Sequence, residues 1–457
     1  MSALRRRLNF RSATAANMLA MVGVGPFLTI PLLLATMNGP QAMLGWIVGA
    51  IVVVCDGLAW SELGAAIPES GGPYRYFGEV FNRRDTGRGP GQLLSFLFLW
   101  QLVVSAPILL ASGSVGFAQY ALYLWPSMTP LQGKLIAVAV SLIACAVIYR
   151  RIEGIGRLSI AIWCVVMMTL LWVVIDGLAH ARLNLITDLP PDGWHLNRKF
   201  WMGLGGATLF AAYDYSGYTT VCFVGGEVQN PARNIPWSIL SAILLTCALY
   251  LTMNFTIIGV VPWREAIHSQ FIVSDFMARL HGPRIAGFMT ILILVTAFAS
   301  VFAGMLGFSR VPFAAAAEGH FFKFFAHLHP REGFPSFSVL LLGVTTAIAS
   351  LLDLDALVKA CTVIQTMIQS LAVVAAALLL RRLRPDIKRP FRMWLYPVPA
   401  IVAIAGWCYI IATSGIAYIL SSFALLAVGI ASYLWKAKAA SNWPWSEKAS
   451  ASYTQSG

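Results

Sequence analysis

The sequence predicts an all-α integral membrane protein, and three observations predict it. Of its 457 residues, 58% are hydrophobic and 11% are charged, against about 45–50% and about 25% in a soluble domain. Twelve apolar stretches are long enough to span a bilayer, which takes about 20 residues per helix. The cations are also sharply divided between the loops on the two sides of those stretches. Together these exclude an ordinary soluble enzyme and a disordered chain.

The stretches fall near residues 13–36, 40–66, 92–124, 133–149, 156–178, 201–228, 237–261, 284–309, 336–352, 356–380, 393–412 and 415–435. The third is longer than one crossing needs, so a tilted or extended helix is expected there. With the N-terminus in the cytoplasm, 24 of the 32 Lys and Arg residues lie on the cytoplasmic side, 7 lie opposite, and Lys359 sits near the start of span 10. The cytoplasmic set includes Arg5, Arg83, Arg84, Arg88, Arg150, Arg151, Arg157, Arg331 and Lys448. This is the bias the positive-inside rule requires, and it puts both termini in the cytoplasm of a cell-membrane protein. The net charge of +13 therefore describes topology. Its basic clusters are expected to face anionic headgroups of the lipid bilayer, not nucleic acid.

Span 1 contains Gly23, Gly25 and Pro26 at mid-length. Two Gly and one Pro disfavour a helix interior by several kcal/mol, so an interruption is predicted, with Pro26 opening a second half-helix. The same interruption argues that this run is a span and not a cleaved secretory leader. Unwound backbone at membrane depth survives only where it is buried in protein or lines a cavity.

Span 6 carries the second interruption, Tyr213-Asp214-Tyr215-Ser216-Gly217-Tyr218. Broken helices at the first position of two five-helix halves point to an inverted-repeat transporter, with the binding site between the breaks. Half-helix N-termini there attract an anionic group, and unwound carbonyls receive a cationic one.

Four motifs now resemble one family. Gly23-Val24-Gly25-Pro26-Phe27 with Pro31 resembles its span 1 break. Glu62-Leu63 through Pro68-Glu69-Ser70-Gly71-Gly72-Pro73-Tyr74 is similar to its span 2 ending. Glu227-Val228-Gln229-Asn230-Pro231-Ala232-Arg233-Asn234-Ile235-Pro236 resembles its span 6 ending, and Ser309-Arg310 through Glu318-Gly319 its span 8 ending. The family is the amino acid, polyamine and organocation (APC) superfamily of permeases.

The resemblance implies a LeuT-like 5+5 inverted repeat with two further C-terminal helices. The chain would divide into an N-terminus (1–12), a first repeat (13–180), an extracytoplasmic loop (181–200), a second repeat (201–380), a basic cytoplasmic loop (381–392), spans 11 and 12 (393–435) and a tail (436–457). It implies a small-molecule substrate, an amino acid or polyamine, held at Val22, Gly23, Val24 and Gly25 of span 1 and at Tyr215 to Tyr218 of span 6, with Asp214 beside them as a substrate-binding candidate of this chain's own. Val24 and Gly25 would offer N–H groups to a carboxylate. Tyr215, Ser216 and Gly217 would offer carbonyls to an amine, and Tyr218 would cap the pocket.

Two departures shift that expectation. Val24 stands where a serine hydroxyl is common and Pro26 lacks an N–H, which removes up to two hydrogen bonds of about 1 kcal/mol each. Asp214 stands where the family usually has a small residue. A carboxylate at mid-span costs about 2.5–3.5 kcal/mol and marks function by default, although hydrogen bonding to a neighbouring helix is a structural alternative. Weaker carboxylate capture with an added anion points to cationic substrates, polyamines or basic amino acids.

Coupling to a proton gradient is expected over sodium, with Asp214 the first candidate to carry the proton and Asp56 the second. Residues 158–176 contain no lysine of the kind that replaces sodium in some relatives; Thr169 stands near its place. Thr296 and Ser300 are the hydroxyls available to sodium, unless they satisfy backbone carbonyls of their own helix. Glu62 and Glu227, near cytoplasmic span ends, suit pairing with loop arginines or a gating network. Gln365 and Gln369 share one face of span 10 and either bond within the bundle or line the path.

No metal or other cofactor is expected. The seven cysteines fall singly in apolar spans, and His320, His327 and His329 lack ligand spacing. The remaining His lie in loops or at span ends, so no intramembrane enzyme constellation is present. Exchange without ion coupling, and a non-transporting sensor on the same scaffold, are the competing functions.

Overall fold

A computed structural model describes residues 6–82, 89–149, 155–317, 319, 321–329 and 334–439. Arg5, Arg83, Arg84, Arg88, Arg150, Arg151, Glu318, His320, Arg331 and Lys448, like the tail beyond 439 and the Arg157 side chain, lie outside what it describes.

Each predicted apolar stretch is helical. The first is two helices, α1 (Phe10–Met21) and α2 (Gly25–Met37), bent by 53° at the break. A 3-10 turn at Pro40–Met43 leads into α3 (Leu44–Ala66), followed by the short α4 (Pro73–Phe81). Next come α5 (Pro90–Leu124), α6 (Pro130–Tyr149) and α7 (Ile155–His180). The 35 residues of α5 reach about 52 Å at 1.5 Å per residue, well beyond a hydrocarbon core of about 30 Å, as the sequence predicts.

The predicted stretch 201–228 is not one helix. It is α8 (Arg198–Tyr215), an irregular turn, and the four-residue α9 (Thr220–Phe223). Beyond it lie α10 (Pro231–Ile258), α11 (Ile272–His281), α12 (Pro283–Phe308), α13 (Arg310–Ala317) and α14 (Ser336–Ala349). The chain continues as α15 (Leu354–Leu383), α16 (Val398–Ser414) and α17 (Ile416–Ala439). Among the described residues, seven helices are long and apolar enough to cross a membrane, or eight with α1 and α2 taken as one bent span. Cys164–His180, Ser336–Ala349 and Val398–Ser414 are apolar but shorter. The chain is a multi-pass membrane protein.

The helices sort into two packed groups. In one, α3 packs on α10 and α8, α1 on α10, and α2 on α8. In the other, α5 packs on α12 and α6, and α6 on α14. Small residues let the first group approach closely: a Cβ on Gly45 of α3 would stand 2.5 Å from the Ala207 Cβ of α8. Of the last two helices, α16 lies against α3 and α8, whereas α17 lies against α5.

Candidate functional site

The break between α1 and α2 is held open by side chains from other helices. Pro26 sits in the first turn of α2, where its missing N–H costs nothing. The Tyr250 hydroxyl donates to the Met21 carbonyl at 2.9 Å, and the Tyr120 hydroxyl donates to the Phe27 carbonyl at 2.8 Å. Among the described residues, the N–H groups of Val24 and Gly25 find no protein acceptor. Val22, by contrast, donates to the Met18 carbonyl as the last bond of α1, so its N–H is not available to a substrate. Gly23 faces span 8: a Cβ there would lie 3.3 Å from the Ser300 hydroxyl. Thr296, one turn away, donates to the Leu292 carbonyl at 2.9 Å, the backbone-satisfying alternative for that residue.

Asp214 closes on this break. It is 3% exposed, its Oδ2 accepts the Thr29 hydroxyl of α2, and its Oδ1 has no hydrogen-bond partner. That free oxygen occupies the place a side chain on Gly25 would need. No cation pairs with Asp214 among the described residues. The carboxylate therefore faces the start of α2, where two free N–H groups and the helix dipole make a site for negative charge.

The second break begins later than the sequence suggests. Asp214 and Tyr215 are still helical, and the irregular turn covers Ser216 to Thr219. Gly217, at φ +112°, is required there. Its Cα faces the backbone of Ala20, and a Cβ would stand 2.7 Å from the Ala20 carbonyl group. Its own carbonyl accepts the Thr220 N–H and hydroxyl, so it is not free for an amine. The Tyr215 ring is fully buried, stacked on Tyr250 at 6.1 Å. Asn17 Oδ1 accepts the Val221 N–H at 2.8 Å and pins α9 to α1.

Tyr218 does not simply cap a pocket. Its hydroxyl donates to Asp56 Oδ2 at 2.6 Å, and the Trp407 indole of α16 donates to Asp56 Oδ1 at 3.0 Å. Tyr218, Trp407 and Trp60 also line a small cavity of about 40 Å³. Ser216, Gly217 and Thr219 contribute from the break, and Gln365 and Gln369 from span 10. The two glutamines flank and enter a π turn at Thr366–Ser370 within α15; such turns cluster at functional sites. Both glutamines line the small cavity at the break.

A family profile described as amino acid permease matches residues 8–440. The chain belongs to that family. The permease is 25% identical to the methylthioribose transporter of Bacillus subtilis, over 89% of its own length and 87% of that protein's. It is 23% identical to the serine/threonine exchanger SteT of the same organism, over 94% and 95%. Cationic amino acid transporter 4 of Homo sapiens is 25% identical over 78% of the permease and 57% of that protein. These relatives are transporters, and the APC resemblance read from the motifs holds.

The permease also uses the two glutamates singled out at span ends, in different ways. Glu62 is buried at the end of α3 and accepts Arg381 twice, at 2.9 and 2.8 Å, plus the Met393 N–H at 2.8 Å. Arg381 stacks on Tyr396 at 3.6 Å. Glu227 instead uses its main-chain carbonyl, which accepts the backbone N–H groups of Arg7 and Leu8, and among the described residues its carboxylate pairs with no arginine. Thr29, Trp407 and the π turn were not foreseen. Only Trp407, an indole in the middle of an apolar span, offered even a weak signal.

Proposed function

We propose that the permease is a twelve-span secondary transporter that moves amino acids or polyamines across the cell membrane by alternating access, with cationic substrates favoured and proton coupling. Its spans form a 5+5 inverted repeat followed by two helices, with both termini in the cytoplasm. The pairing of α1/α2 with α8, α3 with α10, α5 with α12 and α6 with α14 supports that repeat, because equivalent helices of the two halves meet. Among relatives, one is named for a thiosugar and two for amino acids, so substrate class rests on the site itself.

One observation carries the cationic reading. The free Oδ1 of Asp214 stands at the N-terminus of α2, where a substrate carboxylate would otherwise be received. A second carboxylate brought there would meet a like charge at short range, whereas an ammonium group would gain a partner. Thr296 and Ser300 supply no carboxylate to a sodium ion, which favours the proton as coupling ion.

Likeness to a serine/threonine exchanger supports a second reading, exchange without ion coupling. Uptake of labelled putrescine, L-arginine and L-serine into proteoliposomes, with and without a proton gradient, separates them. Accumulation of the cationic probes driven by the gradient is expected. Movement only against internal substrate indicates exchange, and saturable binding without any uptake indicates a sensor.

A further inference from the structure

Asp56 is a second carboxylate within the helix group that carries both breaks. It lies mid-way along α3, is 0% exposed, and has no cationic partner among the described residues. Two of its hydrogen-bond partners come from elsewhere: Tyr218, in the irregular turn after α8, and Trp407, on α16. Trp60, one turn further along α3, lines the 40 Å³ cavity together with Tyr218 and Trp407. That cavity is lined by hydroxyl and amide groups and is large enough for a water molecule with several partners. The groups that hydrogen-bond Asp56 thus line the polar cavity at the break, which Asp56 itself does not line.

We propose that Asp56 binds the coupling proton, and that the Tyr218 hydroxyl conveys its arrival to the broken helix. This rests on the proton-coupled reading above and assigns its two charges to separate places, the substrate cation to Asp214 and the proton to Asp56. While Asp56 is ionised it accepts from both Tyr218 and Trp407. When an excess proton carried by cavity water as hydronium passes to Oδ2, leaving neutral water, that oxygen becomes a donor and the Tyr218 hydroxyl must turn to accept from it or leave. Its hold on the Ser216–Thr219 turn changes with it. No bond other than O–H forms or breaks, and the proton leaves by the reverse step when the cavity opens to the other side. Of the other ionisable groups around α3, the Cys55 thiol is the next residue in the chain. On α8, Asp214 faces α2. On α10, Tyr250 is bonded to Met21. On α15, Arg381 is held by Glu62, and on α16 Tyr409 is bonded to the Trp201 carbonyl. None of these neutralises Asp56.

The test uses the full-length chain in proteoliposomes, with labelled putrescine and L-arginine as probes, and measures both gradient-driven accumulation and counterflow at equal pH. For Asp56→Asn the ratio of accumulation to counterflow is expected to fall at least tenfold, and counterflow is expected to lose its dependence on pH. Tyr218→Phe, which keeps the ring, is expected to lower the same ratio less, because water can replace the hydroxyl; it also serves if Asp56→Asn does not fold. A ratio and pH profile like wild type in both variants overturns the proposal. A wild-type protein that shows counterflow but no gradient-driven accumulation also overturns it, while leaving the permease reading intact. Failure of the substrate reading appears separately, as absence of counterflow with either probe in wild type.

Discussion

The free Oδ1 of Asp214 fills the space that a side chain at position 25 would need, so the glycine of α2 and the aspartate of α8 are complementary. Gly25→Ala would push a methyl group onto that oxygen and toward Tyr213 Cε1, 3.7 Å from the same point. Overpacking of this kind costs about 1–3 kcal/mol. The variant is expected to fold with a lowered unfolding temperature in detergent and to lose most uptake of cationic probes; uptake at wild-type rate would show that the contact is incidental.

Glu62 and Arg381 are expected to be unequal partners. Glu62 is 1% and Arg381 23% exposed at the side chain, so Arg381→Ala strands a buried carboxylate with only the Met393 N–H. Stranding a buried charge costs about 3–5 kcal/mol. Glu62→Gln leaves Arg381 able to reach water and stacked on Tyr396, and costs less. Thermal unfolding of the two single variants and the double variant checks this, with the double expected to be no worse than Arg381→Ala alone.

Much of the architecture is legible in the sequence because it follows from local properties. Apolar runs mark helices, and Gly23, Gly25 and Pro26 disfavour a helix whatever surrounds them. The second break is less legible. Asp214 reads locally as an interruption, yet it is helical, and its carboxylate accepts from Thr29, 185 residues away. The bond from Tyr218 to Asp56 spans 162 residues and that from Trp407 spans 351, and no periodicity encodes either. The π turn at Thr366–Ser370 contains neither Gly nor Pro, so nothing in its residues announces it.

Outside the membrane-spanning helices, α11 offers a pH prediction. Burial pushes the Asp275 carboxyl above its ordinary range and Glu265 adds to this, while a hydrogen bond from Ser269 and the charge of Arg279 oppose it. The folded protein thus holds this proton to higher pH than the unfolded chain. The contribution is fully present below the unfolded carboxylate range and is lost as pH rises through the folded value. Asp275→Asn removes the penalty for ionisation, so its unfolding temperature is expected to match or exceed wild type at pH 7. That advantage should shrink as pH falls toward 4. An advantage that grows on acidification would contradict the assignment.

The central claim is that the permease supplies its own anion at the broken helix. It is tested most directly by uptake of labelled putrescine, L-arginine and L-serine by wild type and Asp214→Asn in proteoliposomes. At least a tenfold loss of putrescine and arginine uptake is predicted, with serine affected far less. Equal uptake of all three by the two proteins would contradict it.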